Sequence, residues 1–139
     1  MENNRQVKQF IVIRTDLEMS MGKTAAQASH AAMKVFFDRM CGVATMSSED
    51  GMVGTLYEIF LTEEEVIWKE GLFTKIVKKV KNETQLLKLY EEVKASGLNV
   101  SLIKDAALTE LKEPAYTAIA IGPNYVDRIE PHVKRLQNL

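Results

Sequence analysis

The spacing of apolar and polar residues predicts a chain that alternates between strands and helices. Four short apolar runs rich in β-branched residues indicate strands, at residues 10–13, 72–80, 100–103 and 116–121. The segments between them repeat apolar residues at helical spacing, and capping residues mark where these helices begin and end. The predicted N-caps are Ser20, Thr62 (with Glu65), Asn82 (with Gln85) and Asn124, and the predicted stops are Gly42, Gly71 and Gly97. Pro131 is expected to interrupt the last helix, because proline lacks a backbone donor.

This order of elements predicts an α/β fold, a three-layer α/β/α sandwich with a four-stranded mixed, mainly parallel sheet. A length of 139 residues predicts a single domain over residues 1–139. Residues 41–61 break the pattern with three glycines and a polar patch, so we expect a variable insertion there, mobile or irregular in structure. Its larger apolar residues are expected to pack on the first helix; they are Met46, Met52, Tyr57 and Phe60.

The first helix carries a polar stripe. Lys23, Gln27, His30 and Lys34 lie within about 60° of one another around the helix axis. The simplest interpretation is the solvated face of an amphipathic helix. Two features favour a functional site instead: the stripe has no carboxylate to pair with its lysines, and a lysine in the first turn opposes the helix macrodipole. An unfavourable local feature such as this lysine, with no carboxylate nearby to offset it, is typical of functional sites.

A second polar cluster follows the third predicted strand and contains Asp105, Thr109, Glu110 and Thr117. Functional sites in sheets of this kind lie beyond the carboxyl ends of the strands, where the loop leading to Lys23 also lies. Asp105 would then supply the counter-charge that Lys23 lacks, although an aspartate after a strand is also common as an N-cap or turn residue. Lys, Asp, Thr and His side chains without a metal are suited to activating water and stabilising an oxyanion.

The net charge and the number of histidines limit which nucleic-acid contacts and which metal sites the chain can form. A formal net charge of -1 excludes a broad basic surface for duplex phosphates, so any nucleic-acid contact must be local. The lysines around the second strand indicate a solvated strand end or edge guard, or else a phosphate contact; they are Lys75, Lys78, Lys79 and Lys81. His30 and His132 are too few for a histidine-based metal site, so no metal and no other cofactor is predicted.

Features outside the predicted elements indicate where the protein acts. Residues 1–9 are polar and contain no secretory signal, and no apolar run approaches the roughly 20 residues that span a bilayer. The single cysteine, Cys41, has no partner for an intrachain disulfide and is interpreted as a reduced structural thiol. We therefore expect a cytoplasmic protein with no membrane partner.

Several motifs in order along the chain carry a resemblance to a known family. They are Arg14-Thr15-Asp16-Leu17, Gly22-Lys23 with Ala25-Ala26-Gln27, Ser29-His30-Ala31, Trp68, Lys75-Ile76-Val77, Gly97-Leu98, Asp105-Ala106 to Thr109, and Thr117 to Ile121-Gly122-Pro123. Together they resemble the peptidyl-tRNA hydrolases of the second, archaeal and eukaryotic, type. The resemblance implies a four-stranded mixed sheet between helix layers, frequent dimers, and metal-independent hydrolysis of the ester that joins a peptide to the 3′ end of tRNA.

Carried over residue by residue, the resemblance implies an active-site cluster of Lys23, Asp105, Thr109 and Thr117, with Gln27 and His30 beside it. The chain departs from the family pattern at several positions. Ser20 and Met21 stand where glycine and lysine are usual, Ala107 where glycine is usual, Glu110 where glutamine is usual, and Ala115-Tyr116 where Gly-Thr is usual. Glu110 matters most among these, because an added negative charge near the site is expected to repel phosphate.

The leading hypothesis is therefore a peptidyl-tRNA hydrolase that recycles tRNA. Asp105 would act as base or orienting group, with His30 as a competing candidate, and Lys23 as the partner of an oxyanion or phosphate. Thr109 and Thr117 would hold the water or the terminal ribose. The acceptor stem would meet substrate-binding residues that include Gln27, Lys34, Lys78 and Lys79. A homodimer is expected from the family.

Two alternatives stay open at this point. The first is a catalytically weakened domain of the same fold that binds tRNA or a protein partner. The second is hydrolysis of a different ester or amide, for which the changes at Ala115 and Tyr116 would be responsible. Retention of the four cluster residues favours the enzyme, because a binding domain does not need that set of groups.

Overall fold

The computed structural model describes residues 5–139. Residues 1–4, part of the polar segment in which no secretory signal is predicted, lie outside the described residues. The elements in chain order are β1 (Val7–Arg14), α1 (Met21–Phe37), β2 (Cys41–Ser47), β3 (Val53–Glu58), α2 (Glu63–Glu70), β4 (Lys75–Val80), α3 (Glu83–Ala95), β5 (Val100–Asp105), β6 (Ala115–Tyr125) and α4 (Val126–Val133). Among them, no helix is both long and apolar enough to cross a membrane.

The main sheet has four strands in the order β4-β1-β6-β5. β1 pairs with β4 in parallel and with β6 in antiparallel orientation, and β6 pairs antiparallel with β5. Strands β1, β4 and β5 consequently run in one direction, which confirms the mixed, mainly parallel sheet. Only one of the three pairings is parallel, however, because β6 is inserted between β1 and β5. The carboxyl ends of β1 and β5 therefore lie at the same edge of the sheet.

Strand β1 is buried on both faces, as its uninterrupted apolar run predicts. Phe10 and Val12 belong to a core formed with α3 and α4, whereas Ile11 and Ile13 belong to a second core that includes Ala31 of α1. The side chains of Phe10 to Ile13 are at most 5% exposed. The helices lie on both sides of the sheet, so the predicted three-layer sandwich is confirmed.

Local capping begins three of the helices as predicted. The Ser20 hydroxyl accepts a hydrogen bond from the Lys23 backbone, Thr62 and Glu65 form a reciprocal capping box, and the Asn82 side chain accepts from the Gln85 backbone. These contacts satisfy backbone donors that have no partner inside the helix.

The start and course of the last helix differ from the prediction. Asn124 is a residue of β6, and its side chain accepts from the Tyr125 backbone. Helix α4 begins at Val126 and contains Pro131 without being interrupted by it. A proline removes one backbone bond, and in a helix of eight residues the chain still completes its last turn to Val133.

Residues 41–58 form a two-stranded hairpin, β2 with β3, whose register shifts between Gly42 and Ala44. β-Branched residues alternate along both strands, and Gly51 supplies a positive φ of 84° at the turn. The predicted packing of this segment on α1 is wrong, because Met46, Met52, Tyr57 and Phe60 are all exposed. Cys41 is exposed too, so it is no buried structural thiol. That the segment is a variable insertion, within a single domain over residues 1–139, stays a prediction.

Candidate active site

Lys23 and Asp105 meet at the edge of the sheet where β1 and β5 end. Lys23 lies in the first turn of α1, and Asp105 is the last residue of β5. The Lys23 Nζ atom is 2.7 Å from Asp105 Oδ1 and 2.7 Å from Thr109 Oγ1. The Lys23 and Asp105 side chains are 9% and 12% exposed, whereas Thr109 is exposed. The predicted counter-charge is therefore present, and one side of the pair opens to solvent at Thr109.

A buried chain of hydrogen bonds supports the carboxylate from beneath. The Thr117 hydroxyl donates to Gln27 Oε1, and Gln27 Nε2 donates to Asp105 Oδ1 over 3.2 Å. Thr117 and Gln27 are 0% and 1% exposed. Their polar groups hydrogen-bond inside the protein and hold the Asp105 carboxylate in place. That Gln27 and Thr117 contact the substrate stays a prediction.

The surroundings of Asp105 favour its ionised form. The hydrogen bond from Lys23 is the largest cause that lowers the pKa of Asp105, assisted by the Ala107 backbone and the Gln27 amide and opposed by partial burial. A general base works best when its pKa lies near the working pH. Asp105 is thus better suited to holding Lys23 and orienting water than to removing a proton outright.

Ala107 adopts a positive φ of 64°, in the left-handed region where glycine is unstrained. This conformation directs the Ala107 backbone N–H to Asp105 Oδ2, at 2.9 Å. An alanine in this region costs about 1 kcal/mol relative to its usual conformations. This strain explains why glycine suits position 107. The distance shows that alanine at this position still donates its backbone hydrogen bond to Asp105.

Glu110 and Ser20, two positions where the chain departs from the family pattern, contact each other. Glu110 Oε2 accepts from the Ser20 backbone N–H at 3.0 Å, and Glu110 Oε1 accepts from the Ser20 hydroxyl. The Ser20 hydroxyl oxygen accepts in turn from the Lys23 backbone. These bonds lower the pKa of Glu110, with the Ser20 hydroxyl as the largest cause. The carboxylate that was expected to repel phosphate is turned toward the N-terminus of α1, where a negative charge is favourable.

The first turn of α1 contains no acidic residue of its own. Glu110 supplies one from the loop after β5, and it thereby compensates for the unfavourable position of Lys23. Sequence reasoning did not assign Ser20 a role beyond capping. The signal that could have found it is the coincidence of two departures from the family pattern, at Ser20 and at Glu110.

The remaining predicted site residues lie outside this network. His30 is exposed on α1, and its side chain takes part in none of the side-chain hydrogen bonds found among residues 5–139. Lys34 pairs with Asp38 at 2.9 Å, so the expectation that the stripe offers its lysines no carboxylate is wrong. The Lys78 ammonium donates to the Leu136 carbonyl at 3.3 Å. Lys79 lines a groove beside α3.

Arg14 is a buried cation near the site that sequence reasoning did not assign. Its guanidinium donates to the Tyr116 carbonyl, to Glu83 and to Asp16, each at 2.9 to 3.0 Å. The hydrogen bond to Arg14 lowers the pKa of Asp16. Because Arg14 ends β1 and Tyr116 lies in β6, these bonds fix the loop that leads to α1.

The fold and the site together define an α/β protein whose polar centre is suited to hydrolysis. A family profile described as "Peptidyl-tRNA hydrolase PTH2" matches residues 7–139. A peptidyl-tRNA hydrolase of Methanococcus maripaludis is 35% identical over 132 residues, which cover 95% of this chain and 98% of the relative. One of Staphylothermus marinus is 37% identical over 130 residues, covering 94% and 93%. One of Halobacterium salinarum is 36% identical over 119 residues, covering 84% and 86%.

The chain therefore belongs to the peptidyl-tRNA hydrolase PTH2 family. The family predicted from the sequence and the enzyme class, a peptidyl-tRNA hydrolase, are confirmed by these matches. Neither comparison favours the non-catalytic alternative.

Proposed function

We propose that this chain hydrolyses the ester between a peptide and the 3′-terminal ribose of tRNA, and that it does so without a metal. The observation that carries the proposal is the ion pair of Lys23 and Asp105, with Thr109 on its solvent side. An ester is an activated acyl group, so a positioned water and one electrostatic partner suffice for its hydrolysis.

Lys23 is the proposed partner of the developing oxyanion. An ammonium group has three donors, and in Lys23 two of them are directed at Asp105 and Thr109. The third donor remains for the carbonyl oxygen of the substrate, where negative charge develops in the transition state. The Thr109 oxygen accepts from Lys23, so its own hydroxyl proton is free to donate to the terminal ribose.

Asp105 is the proposed orienting group for the attacking water. Its Oδ2 atom accepts from the Ala107 backbone and retains a second lone pair that a water molecule can use. The water oxygen bonds to the carbonyl carbon, the bond between that carbon and the ribose oxygen breaks, and the proton that the water loses passes to the ribose oxygen. Gln27 and Thr117 act as positioning residues beneath this centre, and His30 is not assigned a role in it.

The decisive experiment follows the release of free tRNA from an N-blocked aminoacyl-tRNA incubated with the purified protein. Turnover by the wild type, unchanged by an excess of a metal chelator, is the expected result. Inhibition by the chelator would overturn the metal-independent part of the proposal. Binding of tRNA without any release would instead favour the non-catalytic domain.

We also propose that the enzyme acts in the cytoplasm, where translation supplies its substrate, and that it forms a homodimer. An apolar groove of about 550 Å³ between α1 and α2 supports the dimer; its lining includes Met33, Phe37 and Phe73, each at least half exposed. Sedimentation of the wild type and of Phe37→Asp tests this. A dimer that the variant converts to a monomer is the expected result, and a monomeric wild type would refute the dimer.

A further inference from the structure

A groove of about 630 Å³ lies between α3, the end of β4 and the segment after α4. Four of its lining residues are basic: Lys79, Lys81, Lys88 and Arg135. They come from three separate parts of the chain, a strand end, a helix and the C-terminal segment. The fold therefore concentrates positive charge that is dispersed in the sequence.

Among the described residues, the cations of this groove have no acidic partner. Within residues 5–139, none of the four basic residues forms an ion pair. The acidic residue of the lining, Glu92, is already engaged by His132 Nδ1 at 3.0 Å. Within the described residues, Lys81, Lys88 and Arg135 thus remain available to an external anion, in a protein whose net charge is -1.

Backbone contacts hold the walls of the groove in place. The Lys79 backbone donates to the Gln137 carbonyl, and the Leu139 backbone donates to the Val77 carbonyl, so the C-terminal tail is fixed along the outer edge of β4. The Lys81 backbone donates to the Gln85 side chain at 2.9 Å, which joins the strand end to α3. The backbone segments that carry the cations are consequently held together by the fold itself.

The groove and the active site share one loop. Thr15 lines the groove, and its hydroxyl donates to the Val80 carbonyl at 3.1 Å. The loop that starts at Thr15 leads directly to Ser20 and Lys23 at the beginning of α1. A long polyanion that is bound at its end by Lys23 can therefore continue into the groove.

We propose that this groove binds backbone phosphates of the tRNA at a distance from the ester that is cleaved. The inference rests on the proposed function, because that function supplies the polyanion. The proposed phosphate contacts are made by Lys81, Lys88 and Arg135. The lysines around β4 then have different environments. Lys81 lines the groove, whereas the Nζ atom of Lys75 lies 3.5 Å from the centre of the Phe73 ring on the other side of the sheet.

The test compares Lys88→Glu/Arg135→Glu with a matched control, Lys94→Glu/Arg128→Glu. All four residues are exposed, and the control residues lie on α3 and α4 without lining the groove. Both double variants change the net charge equally. Two substrates are used: an intact N-blocked aminoacyl-tRNA, and a short 3′-terminal oligonucleotide carrying the same N-blocked aminoacyl group.

For intact tRNA, the groove variant is expected to raise KM about tenfold or more with little change in kcat. The slope of log KM against log salt should fall by about one to two units, because two phosphate contacts are lost. For the short substrate, which does not reach the groove, KM should stay within about twofold. The control variant should change KM for intact tRNA by less than about threefold.

Equal effects of the two double variants would overturn the proposal, since long-range charge would then explain both. An equal loss on the short substrate would also overturn it, because the damage would then lie at the active site. Binding of uncharged tRNA, measured by fluorescence anisotropy, separates the groove from the chemistry. If the wild type binds but does not hydrolyse, the proposed function fails, and the groove is still judged by the affinity of its variant.

Discussion

The Nζ atom of Lys23 lies 2.7 Å from Oδ1 of Asp105, although 82 residues separate the two along the chain. The contact exists because β1 and β5 run in the same direction and end at the same edge of the sheet. Gln27 and Thr117 hold the carboxylate from below, and Ala107 and Thr109 complete the arrangement from the loop after β5. The reactivity of the site should therefore depend on this pair.

Asp105→Asn tests the charge of the pair. The substitution keeps the shape of the side chain but removes the negative charge that holds Lys23, so we expect kcat to fall by about 100- to 1,000-fold. The assay is release of tRNA from N-blocked aminoacyl-tRNA. Asp38→Asn is the matched control, because it removes the carboxylate from the exposed ion pair between Lys34 and Asp38 at the end of α1. Full activity of Asp105→Asn would remove Asp105 from the mechanism.

The dependence of activity on pH tests the ionisation of Asp105. The pKa of Asp105 is lower in the folded protein than in the unfolded chain. The contribution of Asp105 to the free energy of unfolding is therefore present above the unfolded pKa of about 4, and it is lost as the pH falls through the lowered folded pKa.

Because Asp105 is already ionised well below neutral pH, we expect kcat/KM to show no inflection attributable to Asp105 between pH 6 and 8. A catalytic histidine would give an inflection near neutrality, and its disappearance in His30→Asn would restore His30 as the base.

Thr117→Val tests the buried chain of hydrogen bonds. The valine is similar in shape but leaves Gln27 Oε1 buried without its donor, which should lower the free energy of unfolding by about 1–3 kcal/mol. We expect kcat to fall as well, because Gln27 no longer holds Asp105, while KM changes little. Urea denaturation and steady-state kinetics measure the two effects. Thr117→Ser retains the hydroxyl and should recover most of kcat; failure to do so would indicate a packing role only.

Ser20→Ala and Glu110→Ala test whether these residues act together on Lys23. Glu110→Ala removes both hydrogen bonds between the loop after β5 and the start of α1, whereas Ser20→Ala removes only the bond from the hydroxyl and keeps the bond from the backbone N–H. Both variants should therefore lower kcat/KM, and Glu110→Ala should lower it at least as much as Ser20→Ala. The double variant should be little worse than Glu110→Ala, because the Ser20 hydroxyl then has no Glu110 carboxylate left to contact. Multiplied effects in the double variant would show that the two residues act independently.

Gly122→Ala tests the backbone at the end of the sheet. Gly122 has a positive φ of 81°, and an added Cβ would lie 2.7 Å from the Asn124 backbone nitrogen. We expect the free energy of unfolding to fall by about 2–3 kcal/mol, as measured by urea denaturation. Gly54→Ala is the control, because a Cβ there meets nothing within 4 Å, and its effect should stay within about 0.5 kcal/mol. Equal stability of the two variants would contradict this account of Gly122.

The sequence by itself determined the four strands of the main sheet, three of the helix starts and the identity of the central pair. Apolar spacing located the four sheet strands, and the caps at Ser20, Thr62 and Asn82 located three helix starts, because these signals act between residues only a few positions apart. The family motifs and the carboxyl-end rule for sheets predict that Lys23 and Asp105 lie together.

Only the tertiary structure decided which groups of the site face solvent and which face the interior. The insertion of β6 between β1 and β5 buries Thr117 and Gln27 and leaves Thr109 outside, and it depends on strand pairing over about a hundred residues. The contact of Glu110 with Ser20 and the groove of Lys88 and Arg135 depend on it in the same way. Local patterns carry no record of such pairings, because the contacts form between segments that are far apart in the chain.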